Sequence, residues 1–234
     1  MEDRFSRNIG VITTEEQVRL NESKVFVAGC GGIGGYVIEH LVRMGVGHIV
    51  CADHGYFEHG NLNRQILSDM TVLGRAKAAC AHERAVRIRP EANVRGINIH
   101  IDETNITSLI HGCDLVIDAL DNIKTRRILF AACKVKGISV IYGAVREWLL
   151  QVAFVPPEGQ LYNLLYPENI CVNVYEEPIS VMSFAPSMAA SIQAALSVRY
   201  LCGQFCDDKL HIYNMQTMEY MQVQPSEINN PNNH

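Results

Sequence analysis

Apolar and polar positions divide the chain into short segments whose period switches between two and about 3.6 residues. Lys24 to Ala28 (K-V-F-V-A) is a β-branched run that ends in glycines and reads as a buried strand. Gly34 to Met44 then carries Val37, Leu41 and Met44 on one helical stripe. His48 to Ala52 (H-I-V-C-A) is a second apolar strand, ending at Asp53. Past a loop rich in glycine and asparagine, Gly55 to Asn63, a helix is expected from about Arg75 to Ile88. Pro90 stops it, because proline has no amide hydrogen and clashes with the preceding turn. Asn93 to Ile101 alternates as a strand and Asp114 to Ala119 (D-L-V-I-D-A) is a buried one. Lys124 to Lys136 is a helix closed by Gly137, and Ile138 to Tyr142 is the next strand.

The flanks read differently. Thr14 to Asn21 is a short polar helix, expected to be capped by Thr14 with two glutamates in its first turn. Leu149 to Val155 is a strand ending at Pro156-Pro157. Tyr162 to Ser183 carries Pro167, Pro178 and three acidic residues and is expected to be a long irregular surface loop. Pro186 to Cys202 is a helix of small residues suited to close packing. Lys209 to Tyr213 and Met218 to Val223 form a terminal antiparallel hairpin, and Asn229 to His234 is a polar, frayed tail. With neither repeats nor a second core, the chain reads as one domain: an arm (1–22), a core (23–155), and a crossover loop, helix and hairpin (156–234). The fold class expected is α/β, a doubly wound, mostly parallel Rossmann-like sheet with helices on both faces and a C-terminal antiparallel extension.

Composition narrows the function. Of 234 residues, 48% are hydrophobic and 19% charged, which allows a packed core and argues against long disorder. The formal net charge of −5 argues against a general nucleic-acid binder, so any cationic cluster is placed for one ligand. Met-Glu-Asp-Arg-Phe-Ser-Arg has no apolar segment behind it, and no apolar run reaches the roughly 18–20 residues that span a bilayer. The eight cysteines include no C-x-x-C pair, and several lie in apolar runs, as small buried hydrophobes in a reducing compartment do. A cytoplasmic protein without membrane or nucleic-acid partners is expected.

Gly29-Cys-Gly-Gly-Ile-Gly34 sits where a strand gives way to a helix. There Gly29, Gly31, Gly32 and Gly34 let the backbone turn tightly and let phosphate oxygens approach amides at the positive helix end. Asp53 ends the next strand, where a carboxylate commonly binds a ribose hydroxyl. Alone, this pattern points to a dinucleotide and a dehydrogenase. Asn61-Leu-Asn-Arg-Gln65 and Lys77 add more. Arg64 and Lys77 both follow the second strand and are within reach of one phosphate chain, and a triphosphate gains more from cationic side chains than a dinucleotide does. Taken singly, each reads as a surface cation.

Five strings together carry a resemblance: R-F-S-R-N at Arg4, G-C-G-G-I-G at Gly29, N-L-N-R-Q at Asn61, G-R-A-K at Gly74 and D-A-L-D-N at Asp118. Their order and spacing resemble the ThiF/MoeB/HesA adenylyltransferases, relatives of the ubiquitin-activating enzymes, from Arg4 to about Val155. The resemblance implies an ATP site in which Asp53 holds the ribose, Arg64, Gln65 and Lys77 hold the phosphates, and Asn61 belongs to the same nucleotide-binding set. It implies Mg²⁺ positioned by Asp121 with Asn122 beside it, and a homodimer in which Arg7 reaches the partner's triphosphate. Arg7, Arg64, Lys77 and Asp121 would then carry the chemistry. A carboxylate attacks the α-phosphorus and pyrophosphate leaves, which calls for gathered charge and alignment rather than a strong base. For Asp121-Asn122 the plainer reading is a cap for the following helix.

The chain departs from the family in two places. Relatives carry two C-x-x-C pairs that hold zinc. Here Leu161-Tyr-Asn-Leu164 fills the first position and the sequence ends near Asn230-Pro231, so no zinc is expected and apolar packing must hold this region, with Leu164 and Leu165 as candidates. Cys171 lies near a position where relatives use a nucleophilic thiol, but Glu168, Glu176 and Glu177 would raise its pKa. An inert cysteine is favoured over a nucleophile. His54 and His59 read as polar loop residues.

The leading function is activation of the C-terminal Gly-Gly carboxylate of a small ubiquitin-like sulfur-carrier protein (of the MoaD or ThiS kind) as an acyl-adenylate. Val145 to Trp148 and the Tyr162–Ser183 segment would wall the channel for that tail. The alternative keeps the chemistry on a small-molecule or tRNA-nucleoside carboxylate, as in threonylcarbamoyladenosine dehydratases. A dehydrogenase explains the glycines and Asp53 but leaves Arg64, Lys77 and Asp121 as coincidences. A non-catalytic binding module leaves Arg7 a coincidence as well.

Overall fold

The computed structural model describes residues 3–167 and 180–228. A 3-10 helix, Asp3–Phe5, precedes α1 (Thr14–Glu22), β1 (Lys24–Ala28), α2 (Gly32–Met44) and β2 (His48–Ala52). A second 3-10 helix, His59–Asn61, leads to α3 (Lys77–Ile88), β3 (Asn93–Ile97), α4 (Ile106–Leu109), β4 (Leu115–Asp118) and α5 (Ile123–Lys136). Then follow β5 (Ser139–Arg146), β6 (Leu149–Val155), α6 (Leu161–Leu165), α7 (Phe184–Leu201), β7 (Leu210–Asn214), β8 (Glu219–Val223) and α8 (Pro225–Ile228). The strands form one sheet in the order β3-β2-β1-β4-β5-β6-β7-β8. Pairing is parallel from β3 to β5 and antiparallel from β5 to β8. The expected doubly wound sheet with an antiparallel extension is therefore what forms.

Both faces of the parallel part are covered. Val25 and Val27 of β1 enter one core with α2, α3 and α7, whereas Phe26 and Ala28 enter another with α4, α5 and α6. This is the period-two alternation of a strand buried on both sides, and it explains why β1 and β4 read as continuous apolar runs. Cys30, Cys51, Cys80, Cys113, Cys133 and Cys202 are buried free thiols, and Cys206 is half-buried. Among the described residues no helix is long and apolar enough to cross a membrane.

Several boundaries differ from expectation for identifiable reasons. The cap of α1 is Thr13, not Thr14: Glu16 N–H donates to Thr13 Oγ1 at 3.1 Å and Thr13 N–H donates to Glu16 Oε2 at 2.7 Å. This reciprocal pair requires a glutamate three residues on, which only Thr13 has with both groups engaged. The third strand stops at Ile97 rather than Ile101. β5 continues to Arg146 because it hairpins with β6 through a turn at Glu147, whose φ is 54°. The stretch after Tyr162 does not begin as an irregular loop. Leu161–Leu165 is a helix in which Leu161 and Tyr162 are buried, and Tyr162 stacks on Phe130 with ring centroids 3.9 Å apart. Apolar side chains thus hold the segment that the resemblance would have tied to a metal.

Candidate nucleotide site

The strand order reverses between β1 and β4, and at such a switch point the carboxyl ends of the strands open a crevice. The glycine loop leaves β1 there, Asp53 directly follows β2 and the Ala119–Asn122 bend leaves β4. Gly29 has φ 96°, and a Cβ on it would lie 2.7 Å from Ala119 O. A Cβ on Gly34 would lie 1.9 Å from Gly29 O, so the first turn of α2 is pressed onto the loop that precedes it. Gly31 is the N-cap of α2 and supplies no side chain, leaving the helix's first amides to an incoming anion.

Asp53 joins two of these segments. Its Oδ2 accepts from Cys30 N–H and its Oδ1 from Gly55 N–H, both at 2.7 Å. Each oxygen keeps a lone pair for a ligand hydroxyl. Lys77 opens α3, and its N–H donates to Gly55 O at 3.0 Å. A Cβ on Gly55 would lie 3.0 Å from Asp53 Oδ1 and 3.4 Å from Lys77 Nζ, so the carboxylate and the ammonium flank one space. Gln65 is buried against Gly31, and its Oε1 has no hydrogen-bond partner within the protein among the described residues. A buried amide oxygen beside an open helix end calls for a donor from outside the chain.

The stem of Arg64 passes 3.9 Å from the Cβ position of Gly32, while its Nη1 donates to Gly60 O and Asn63 Oδ1 at 2.8 Å. Asn61 Oδ1 accepts from Glu58 N–H at 3.0 Å and shapes the turn that presents Arg64 and Gln65. Asp121 is exposed on the bend after β4. Asn122 is the N-cap of α5: its Oδ1 accepts from Thr125 N–H at 2.8 Å and its Nδ2 donates to Asp121 Oδ1 at 3.4 Å. The capping reading of Asn122 is thus realised, while the exposed Asp121 takes no part in the cap.

Arg7 is not brought to its own glycine loop. Phe5 packs at Gly45, the C-cap of α2, and Asn8 Nδ2 donates to Gln17, whose Nε2 donates to Met44 O. The arm therefore sits at the C-terminal end of α2, about 20 Å along the helix from its first residue. The 180–183 segment is pinned between two loops: Glu147 N–H donates to Ser180 O at 2.7 Å and Asn63 Nδ2 to Val181 O at 3.2 Å. Trp148 packs on Phe184 with centroids 5.1 Å apart. The Val145–Trp148 turn and this segment do meet near the loop of Arg64. Cys171 lies outside the described residues.

Sequence reading missed the buried polar floor of the site. Asp118 ends β4 fully buried, paired with Arg126 of α5 at 2.7 Å. Burial pushes its carboxyl up to about 6, against the pull of the Arg126 guanidinium and the Leu120 N–H. Gln193 of α7 donates through Nε2 to Asp118 O and Ile141 O at 2.9 and 3.0 Å. A signal existed: an aspartate closing an apolar run such as L-V-I-D must find a charged partner once buried. Among the described residues no group of three or more His, Cys, Asp or Glu is placed to hold a metal ion.

With this geometry in view, the likenesses to known proteins become specific. The chain is 31% identical over 227 residues to the SAMP-activating enzyme E1 of Haloferax volcanii, covering 94% of this chain and 84% of that protein. It is 29% identical over 220 residues to a probable molybdopterin-synthase adenylyltransferase of Gracilaria tenuistipitata var. liui, covering 92% of this chain but 62% of the longer relative. Its fold superposes on E. coli MccB, crystallised with ATP, with a TM-score of 0.82 at 19% identity, covering 96% of this chain and 72% of that one. Residues 5–233 match the ThiF family throughout, and the chain belongs to that family.

Proposed function

We propose that this protein is an ATP-dependent adenylyltransferase that activates the C-terminal Gly-Gly carboxylate of a small ubiquitin-like sulfur-carrier protein. The observation that carries the reading is the crevice where Asp53 and Lys77 flank one space beside the open N-terminus of α2 and the unpartnered Gln65 Oε1. Amides and a lysine favour the phosphates of ATP over neutral ligands. Asp53 takes a ribose hydroxyl, and the Gln65 amide oxygen takes a ligand hydroxyl or a bound water. The likeness to adenylyltransferases and to a SAMP-activating enzyme supports this chemistry and this class of acyl donor.

In the proposed reaction the chain aligns rather than deprotonates. The substrate carboxylate is already ionised near neutral pH and needs no base. Lys77 and Arg64 hold the phosphate chain so that the α-phosphorus faces the incoming tail and pyrophosphate can depart. When bound, Mg²⁺ neutralises charge on the phosphates. Asp121 is the carboxylate that would hold it, since magnesium is usually held by one or two carboxylates plus substrate phosphates. Arg7, stranded at the far end of α2, serves the site of a second copy in a homodimer. The tail enters beneath the Glu147–Val181 contact.

The test is ATP–pyrophosphate exchange with and without a carrier ending in Gly-Gly. Exchange that requires the carrier and is lost when its last glycine is removed supports the proposal. Exchange indifferent to every such carrier, or tighter binding of NAD⁺ than of ATP, overturns it.

A further inference from the structure

We propose that Arg126 is a positioning residue that holds Asp121 against the glycine loop. The inference rests on the role proposed above for Asp121. Arg126 lies in the first turns of α5 and is buried. Its Nη1 donates to Asp118 Oδ2 at 2.7 Å, and its Nη2 donates to Leu120 O and, at 2.8 Å, to Gly143 O. One guanidinium thereby ties the end of β4, the residue immediately before Asp121, and β5. The group also lies over Tyr142, 5.0 Å from the ring centroid, which limits its tilt.

The Leu120 residue is clamped on both sides. Its N–H donates to Asp118 Oδ1 at 3.1 Å and its C=O accepts from Arg126. The neighbouring residue is tied to the nucleotide loop, because Ala119 N–H donates to Ala28 O at 3.0 Å and Ala119 O meets the Cβ position of Gly29. Asp121 therefore leaves a backbone whose position relative to the glycine loop is set on three consecutive residues. Gln193 braces the same point from α7.

Burying an ion pair is a poor route to stability, since apolar residues of similar volume often do as well. A pair aimed at two backbone carbonyls instead serves geometry, and only an arginine can do it. Lysine replaces the charge but not the fork, and a single ammonium cannot face Asp118, Leu120 and Gly143 in one plane.

The experiment compares wild type, R126K, D121N and the double variant. Four measurements are made: thermal unfolding, binding of metal-free ATP, the kcat and half-maximal Mg²⁺ concentration of ATP–pyrophosphate exchange, and Mn²⁺·ATP binding by electron paramagnetic resonance. R126K is expected to stay folded and to bind metal-free ATP within about threefold of wild type. Its Mn²⁺·ATP affinity should fall about tenfold and its exchange kcat about a hundredfold, the scale of a misplacement near 1 Å. The double variant should be no worse than D121N, since both act through one carboxylate. Folded R126K with unchanged metal dependence, or losses that add to those of D121N, overturns the proposal. If R126K does not fold, D118N takes its place, because it keeps the shape while weakening the clamp, and the same split between metal-free and metal-bound nucleotide is required. Full exchange by D121N would instead overturn the role given to Asp121 itself.

Discussion

Replacing Gly34 with alanine should disable nucleotide binding while leaving the fold intact. Its Cβ would sit 1.9 Å from Gly29 O, whereas a carbon–oxygen contact needs about 3.3 Å, so the loop or the helix must move by roughly 1.4 Å. The obstacle is backbone, and no rotamer relieves it. Shifting the loop stretches the 2.7 Å bond from Cys30 N–H to Asp53 and turns the α2 amides away from the crevice. Overpacking of this kind costs about 1–3 kcal/mol, and a misplacement near 1 Å costs about a hundredfold in rate. We expect kcat/KM for ATP in the exchange assay to fall about a hundredfold and Tm to drop by roughly 2–12 °C. Gly35→Ala is the control: its Cβ meets the side chains of Leu67 at 3.1 Å and Ile66 at 3.4 Å, which can yield. It should stay within about threefold of wild type, with helix propensity partly offsetting the crowding. Unchanged kcat/KM in Gly34→Ala, or equal loss in both variants, would refute the reasoning.

Leu161→Ala should cost about 2–5 kcal/mol in urea unfolding, because Leu161 is the fully buried first residue of α6; a change under about 1 kcal/mol would mean the segment is held by something else. Asp118 sets a pH dependence. Its carboxyl is raised from 3.8 to about 6, so the folded state keeps a proton that the unfolded chain releases between those values. Its contribution to stability is full below about 3.8 and lost as pH rises through about 6, a difference of about 3 kcal/mol at roughly 1.4 kcal/mol per pH unit. The stability of wild type relative to D118N should therefore fall from about pH 4 to about pH 7, and a rise would contradict the assignment. Mixing Arg7→Ala with Lys77→Ala protein should restore about a quarter of wild-type exchange, since half the dimers would carry one intact site. No restoration after subunit exchange would place Arg7 outside the partner's site.

The strands and the nucleotide loop were legible because local rules decide them. K-V-F-V-A and D-L-V-I-D-A are buried on both faces and so read as unbroken apolar runs, and Gly29 and Gly34 fall where close backbone approach forbids a side chain. The same rules left Thr13 and Thr14 hard to separate, since both precede glutamates and only the realised box distinguishes them. Helix α6 was hidden because Leu161–Leu165 is too short to show a period; its burial comes from Phe130, far away in sequence. Arg126 and Gln193 were invisible for a related reason. Their hydrogen bonds run to carbonyls on other elements, and nothing in K-T-R-R or S-I-Q-A announces a partner. Arg7 was named from the resemblance, and only the position of the arm at the far end of α2 gives a physical reason to look for its role in another copy.

Intact-mass analysis of the carrier, quenched in acid after incubation with this protein, ATP and Mg²⁺, decides whether an acyl-adenylate is made. We predict one AMP added to the carrier, mapped to its terminal glycine, absent without ATP and absent with Lys77→Ala. An unmodified carrier despite bound ATP, or AMP found on an internal side chain, would contradict the proposed activation of a C-terminal carboxylate.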